Sequence, residues 1–238
     1  MKAGAPLLGV FGGTFDPIHQ GHLCTARVVS KRLQLDRLHI IPAVRPPLKP
    51  ATGADSEQRL QMLQLALTEY HEFYLDLCEY RRTGPSYTTT TLRNLRQRYP
   101  QHHLVLIIGA DTFAGLSDWH QHKALSKLTH LAVMSRRSTP TPTLLTEGFT
   151  AINREQLKQQ NTGGLLAVEV PSPDISSTFI RAGITTGKDV SSMLCPAVWD
   201  YIQQHRLYGC NAIGSGPPEK PVSEQAPEVT ATGARRLE

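Results

Sequence analysis

Short apolar runs alternate with amphipathic stretches along most of this chain, and that alternation leaves few folds open. The clearest run is His103 to Ile108 (HLVLII), apolar at every position after the first. A run of that length and content reads as a strand buried on both faces of a sheet. Pro6 to Phe11, Arg37 to Pro42 (RLHIIP), Phe73 to Leu77, Leu128 to Met134 and Leu165 to Val170 read the same way. Between them, apolar residues recur at helical spacing. His19 to Leu35 carries Leu23, Ala26, Ser30 and Leu33 on one face; Ser56 to Tyr70 carries Leu60, Leu63 and Leu67, with Ser56 as N-cap. Thr88 to Tyr99 is helical despite its four threonines, because Leu92 and Leu95 are correctly spaced. Ser177 to Thr185 and Pro196 to Leu207 close the pattern. Strands separated by helices predict an α/β fold, a doubly wound parallel sheet with helices on both faces. In such sheets ligands sit beyond the carboxyl ends of the strands, near the point where strand order reverses.

The 238 residues suffice for one domain of this kind. Two stretches break the pattern. Ser138 to Gly148 is rich in Thr and Pro and reads as a loop. Gly209 to Glu238 is rich in Gly, Pro, Glu and Ala and has few large apolar residues, so it reads as a disordered tail behind a domain of residues 1–208. No run of about 18 apolar residues occurs, so no membrane span is expected. Met1 to Pro6 is too short for a signal peptide, and the expectation is a cytoplasmic protein. Cys24, Cys78, Cys195 and Cys210 are widely spaced and form no CxxC pair, which argues against a zinc site or a disulfide framework. Cys24 and Cys195 fall in helical patterns, where a free cysteine acts as a small core residue. The net charge of +5 suits phosphate-rich ligands. No basic helix interleaved with aromatics is present, so nucleic acid is not expected as a partner. Oligomeric state stays open, a homodimer being one option.

The segment GGTFDPIHQGH, Gly12 to His22, follows the first strand. Two glycines let the backbone turn sharply and approach a phosphate. The next helix begins near His19, so its N-terminus can face an anion. His19 and His22 are three apart and share a helical face. Thr14, Phe15 and Asp16 lie between them and the glycines. The segment is neither a dinucleotide fingerprint nor a P-loop, since G-x-G-x-x-G and Gly-Lys-Ser/Thr are both absent. A second segment, Ile175-Ser176-Ser177-Thr178-Phe179-Ile180-Arg181, opens a helix with three hydroxyls. Its free backbone donors can hold phosphate oxygens, and Arg181 one turn in can add a charged fork.

Together these two segments resemble the HxGH nucleotidyltransferase superfamily, whose second mark is ISxTxIR. The wording GGTFDPxHxGH resembles the nicotinate-nucleotide adenylyltransferase family, and the resemblance spans about Leu7 to Tyr208. It implies a Rossmann-like fold and adenylyl transfer from ATP to nicotinate mononucleotide, giving deamido-NAD. Further segments carry the likeness. Gly84-Pro85-Ser86-Tyr87-Thr88 is similar to the family's PSYT element, where the threonine amide helps hold the nicotinate carboxylate. Ile108-Gly109-Ala110-Asp111 with Trp119 downstream is similar to IxGxD…W, where the tryptophan stacks on the pyridine ring and the aspartate lines the nucleotide pocket. Stacking a cationic ring on indole is favourable. Arg136 and Arg137 resemble an arginine pair that meets the mononucleotide phosphate. In Arg45-Pro46-Pro47-Leu48-Lys49, Leu48 stands where the family has histidine, and Lys49 keeps the basic charge.

The resemblance implies that His19, His22 and Arg181 carry the chemistry. Gly12, Gly13, Thr14, Phe15, Asp16, Gly109, Asp111, Ile175, Ser176, Ser177 and Thr178 complete the ATP site. Thr14, Lys49, Ser86, Tyr87, Thr88, Trp119, His120 and Arg137 form the mononucleotide site. No resident metal site is expected; Mg²⁺ would arrive held by the substrate. The alternatives are an adenylyltransferase for nicotinamide mononucleotide or phosphopantetheine, and a non-catalytic nucleotide-binding regulator.

Overall fold

The computed structural model describes residues 4–48, 52–135, 147–171 and 175–210. At its centre is one sheet whose strand pairings are all parallel. β1 (Leu7–Gly13), β2 (Arg37–Pro42) and β3 (Phe73–Leu75) form one half; β4 (His103–Gly109), β5 (His130–Ser135), β6 (Thr150–Ala151) and β7 (Gly164–Glu169) form the other. The strand order is β3-β2-β1-β4-β5-β7-β6. The chain therefore winds outward from β1, then returns to β4 on the other side of β1. Strand order reverses between β1 and β4.

Alternation along the strands divides the core. Leu7 and Phe11 of β1, with Val105 and Ile107 of β4, face one cluster; Leu8, Val10, Leu104, Leu106 and Ile108 face the other. Helices α1 (Gln20–Leu33), α2 (Ser56–Leu67), α5 (Ser177–Thr185) and α6 (Pro196–Gln204) cover the first face, through residues such as Leu23, Leu63, Ile180 and Ile202. α3 (Thr88–Arg98) covers the second through Leu92 and Leu95. The sheet is doubly wound and Rossmann-like, as the alternating runs imply.

Several local expectations shift. The glycine pair ends β1 instead of following it, with Gly12 and Gly13 still in register with Ile41 and Pro42. Asp55, not Ser56, caps α2: its carboxylate accepts from the Gln58 amide at 2.8 Å, and the Gln58 side chain accepts from the Asp55 amide at 3.0 Å. Such a reciprocal box leaves Ser56 as the first helical residue. Val29, and not Ser30, is buried in the stripe of α1. Cys24 is exposed on α1 and is no core residue, whereas Cys195 is half-buried before α6 and packs against the first cluster; Cys78 and Cys210 are buried. None of the four forms a disulfide among the described residues. The packed body runs past Tyr208, because Cys210 is buried against the first cluster. The expected loop at Ser138 to Gly148 and the tail lie outside the described residues, apart from Glu147, Gly148, Gly209 and Cys210. Among the described residues, no helix is long and apolar enough to cross a membrane.

Candidate active site

The carboxyl ends of β1 and β4 meet where strand order reverses, and a cavity of about 820 Å³ opens there. That position and size fit a ligand site of an open parallel sheet. Gly12 to Asp16, His19 and His22 line it from the first motif, and Ile175 to Thr178 with Arg181 from the second. Gly109, Asp111, Ser86, Thr88 and Trp119 line it as well. One cavity thus joins segments from both ends of the chain.

The first motif is tightly folded on itself. Phe15 adopts a left-handed backbone (φ 49°) that turns its ring back. A Cβ on Gly13 would sit 2.7 Å from that ring, so any larger residue forces the ring to move. His19 is the N-cap of α1, and its Nδ1 accepts the His22 amide at 3.3 Å. That bond fixes the tautomer: in the neutral ring the proton lies on Nε2. Burial lowers the His19 pKa to about 4, so the ring is neutral near pH 7. His22 stacks on it with ring centroids 3.7 Å apart. A Cβ on Gly21 would come within 3.0 Å of His19 Nδ1. His19 therefore presents an Nε2–H donor at a helix N-terminus, with His22 stacked against it, and is unsuited to proton transfer at neutral pH.

The second motif is fastened to the first across about 160 positions of sequence. The Ser177 hydroxyl donates to the Pro17 carbonyl at 3.0 Å. Arg181 Nη1 donates to the Asp16 carbonyl at 2.7 Å and lies 3.8 Å from the Asp16 carboxylate. That buried carboxylate also accepts from the Gly53 amide at 2.8 Å, the Ala54 amide at 3.1 Å and the Tyr208 hydroxyl at 2.8 Å. Burial and the adjacent Asp16 charge push the Tyr208 hydroxyl pKa up, so it stays a donor. Asp16 borders the cavity, but its carboxylate serves as an internal post that places Arg181. Ser177 has already committed its one hydroxyl proton, which leaves its backbone amide at the start of α5 for an anion. Ser176 Oγ accepts the Phe179 amide at 3.1 Å and caps the helix.

The other side of the cavity is built from α3 and the turns after β4. Among the described residues no side chain caps α3 at Tyr87, so its first amides keep their donors available, and Thr88 lines the cavity at that end. Ser86 is tied to the loop after β2: its amide donates to the Arg45 carbonyl at 2.9 Å, and its hydroxyl accepts the Arg45 amide at 3.0 Å. Asp111 is exposed in the first turn of α4 (Ala110–Ala114). Trp119 is half-buried on the cavity wall. Tyr87 and His120 stand beside the cavity lining: they stack on each other at 4.1 Å and fasten the Trp119 turn to the start of α3. Leu48 is 60% exposed, and Lys49, Arg136 and Arg137 lie outside the described residues.

Two residues that sequence reasoning passed over belong here. The Arg59 guanidinium is buried and donates to the carbonyls of Thr14 (2.7 Å), Ala43 (2.7 Å) and Val44 (3.1 Å). It pins the first motif to the loop after β2. Its signal is an arginine in register with Met62, Leu63 and Ala66 on the buried face of α2. Glu79 is buried on the cavity wall and carries no spacing signal.

Known proteins agree with this geometry. Residues 10–183 match the cytidylyltransferase-like family. A Pseudoalteromonas atlantica protein named probable nicotinate-nucleotide adenylyltransferase is 38% identical over 209 residues, covering 85% of this chain and 95% of its own. A Cellvibrio japonicus protein of the same name is 40% identical over 210 residues, covering 85% of this chain and 99% of its own. The solved Plasmodium falciparum nicotinic acid mononucleotide adenylyltransferase complexed with NaAD superposes with a TM-score of 0.67 at 16% identity, over 87% of this chain and 98% of that one. At that identity it speaks for the fold alone. This chain belongs to the cytidylyltransferase-like family and, within it, to the nicotinate-nucleotide adenylyltransferases.

Proposed function

We propose that the chain transfers the adenylyl group of ATP to nicotinate mononucleotide in the cytoplasm, forming deamido-NAD and pyrophosphate without a nucleic-acid partner. The observation that carries this reading is one cavity lined both by the two motif segments and by Ser86, Thr88 and Trp119. A phosphate oxygen of the mononucleotide attacks the α-phosphorus of ATP. The bond from that phosphorus to the bridging oxygen of the β-phosphate breaks, and pyrophosphate leaves with the electron pair. An ionised phosphate needs no general base, which suits a His19 held neutral by burial.

His19 and His22 donate hydrogen bonds to the triphosphate and stabilise charge at the α-phosphate. Arg181, with the first amides of α5, holds the leaving phosphates. Positioning and preorganised charge thus do the catalysis. Mg²⁺ is assigned as an ion carried by ATP, which supplies neutralisation of phosphate charge. The wall suits a substrate-borne ion, because the Asp16 carboxylate is already bonded within the protein. On the acceptor side, Trp119 stacks on the pyridinium and the amides at the start of α3 hold the carboxylate. Lys49 and Arg137 complete the grip on the mononucleotide phosphate. The folded domain is residues 1–208, extended to Cys210 by its burial.

The test is pyrophosphate release on mixing the protein with ATP, Mg²⁺ and either nicotinate or nicotinamide mononucleotide. A kcat/KM favouring the acid at least about tenfold is expected, since the uncapped helix start selects an anion. A strong preference for the amide overturns the acceptor assignment, and no release with either overturns catalysis.

A further inference from the structure

The acceptor side contains one buried charge with an unused acceptor. Glu79 is 7% exposed and lies on the cavity wall with Ser86, Thr88, Thr91 and Trp119. Its Oε1 is fully engaged: the Thr91 hydroxyl donates to it at 2.5 Å, and Arg82 Nη2 lies 3.1 Å away. Arg82 also donates to Thr91 Oγ1 at 2.9 Å, which closes a rigid triangle. Oε2 is buried and meets no donor among the described residues. A carboxylate oxygen left so is unfavourable, and a ligand donor that reaches it binds strongly.

Resting on the reading above, we propose that Glu79 Oε2 accepts a hydrogen bond from a ribose hydroxyl of the acceptor mononucleotide. The chemistry of that ligand narrows the choice. At neutral pH its carboxylate only accepts, its phosphate is mostly ionised, and its pyridinium has no N–H. The ribose hydroxyls are the donors that remain. Glu79's own partners, Arg82 and Thr91, belong to the turn before α3 and to α3, and not to the ATP-binding motifs at residues 12–22 and 175–181. Arg82 offsets the Glu79 charge, so the nicotinate carboxylate is not repelled from the same wall. Glu79 thereby selects a nucleotide sugar that keeps its hydroxyls.

The experiment measures kcat/KM of the full chain for nicotinate mononucleotide and for its 2′-deoxy and 3′-deoxy analogues, in wild type, Glu79→Ala and Glu79→Gln. In wild type, one deoxy analogue is expected to react at least about tenfold worse, the loss of one charge-assisted hydrogen bond. In Glu79→Ala that discrimination falls toward unity, and in Glu79→Gln, which keeps the side-chain shape, it is at least halved. KM for ATP stays unchanged. Discrimination that persists undiminished in Glu79→Gln overturns the proposal, as does wild type that treats all three acceptors alike. A parallel rise in KM for ATP in Glu79→Gln also overturns it, because it marks a purely structural role. Wild type that does not use nicotinate mononucleotide at all breaks the acceptor assignment itself, a result distinct from these.

Discussion

The two sides of the cavity are built on opposite plans. On the ATP side, Gly13 and Gly21 are crowded, with added Cβ atoms meeting Phe15 and His19 at 2.7 and 3.0 Å. On the acceptor side, Gly84 has nothing within 4 Å of an added Cβ among the described residues, and neither has Gly109 at the end of β4. The ATP side is tied together by bonds that span the chain, Ser177 to Pro17, Arg181 to Asp16 and Tyr208 to Asp16. The acceptor side is held by shorter links, such as the Tyr87–His120 stack and the Glu79–Arg82–Thr91 triangle. Stabilising charge on a phosphorus needs donors fixed before the reaction begins. Choosing among acceptors needs only a shaped wall with a few polar points. In the reaction proposed above, the rigid side performs the chemistry, and the open side decides what receives the adenylyl group.

The strongest break in this contrast comes from the rigid side. His22→Ala is expected to lower kcat by about 10² to 10³, as when one preorganised donor is removed. KM for the mononucleotide should change little. A turnover within a few-fold of wild type, with an unchanged circular dichroism spectrum, would remove His22 from the mechanism.

Acid tests the same side through His19. Its folded pKa is about 4, below the ordinary 6.5, because burial disfavours the imidazolium. Between those values the unfolded chain binds a proton that the folded chain refuses. Stability present at neutral pH is therefore lost as pH falls through that window, by on the order of 3 kcal/mol from this residue. His130, also lowered to about 4 by burial, adds a loss of the same sign. Urea midpoints measured from pH 7 to pH 4.5 should fall steadily. In His19→Gln the fall should be smaller; an equal fall would separate the acid sensitivity from this site.

A matched pair of glycine substitutions probes crowding directly. Gly13→Ala is expected to destabilise by about 1–3 kcal/mol, because the Phe15 ring must move. Gly109→Ala, with nothing within 4 Å, should change stability by less than about 0.5 kcal/mol. Equal melting temperatures for the two variants would erase the contrast. Trp119→Ala then sharpens it from the open side. Loss of the indole face is expected to raise KM for the mononucleotide about tenfold and leave KM for ATP unchanged. A rise in both would mean that the two sides are not separable.

This division follows what could be read from sequence. Strands such as His103–Gly109 and the motifs at Gly12 and Ile175 were legible because each is local: a run, a spacing, a cap. The ties between them were not. No periodicity shows that Tyr208 reaches Asp16, or that Arg59 spans from α2 to Thr14, since those bonds exist only once the sheet brings distant loops together. Asp55 was within reach, because an acidic residue three before Gln58 is a capping-box pattern. Glu79 was not, because a buried carboxylate in a turn looks like any solvated one until its surroundings are known.

The smallest effects lie at the end of the described chain, where adjacent residues should behave differently. Tyr208 donates to Asp16 at 2.8 Å, and its carbonyl accepts from Thr185 at 3.0 Å. Its ring fills the space where a Cβ on Gly53 would fall, 2.8 Å away. Removing residues 211–238 touches none of these contacts and is expected to leave kcat and both KM values within about twofold. Tyr208→Phe keeps the ring and deletes one of three hydrogen bonds to the Asp16 carboxylate. The Gly53 and Ala54 amides remain, so Asp16, and with it the carbonyl that Arg181 bonds, is held less tightly without being released. A three- to tenfold fall in kcat is expected, about the worth of one hydrogen bond to a charged group shared with other donors. If the effect passes through Arg181, Tyr208→Phe should cost nothing further in an Arg181→Ala background. Additive losses there would mean that Tyr208 supports the fold and not the phosphate grip.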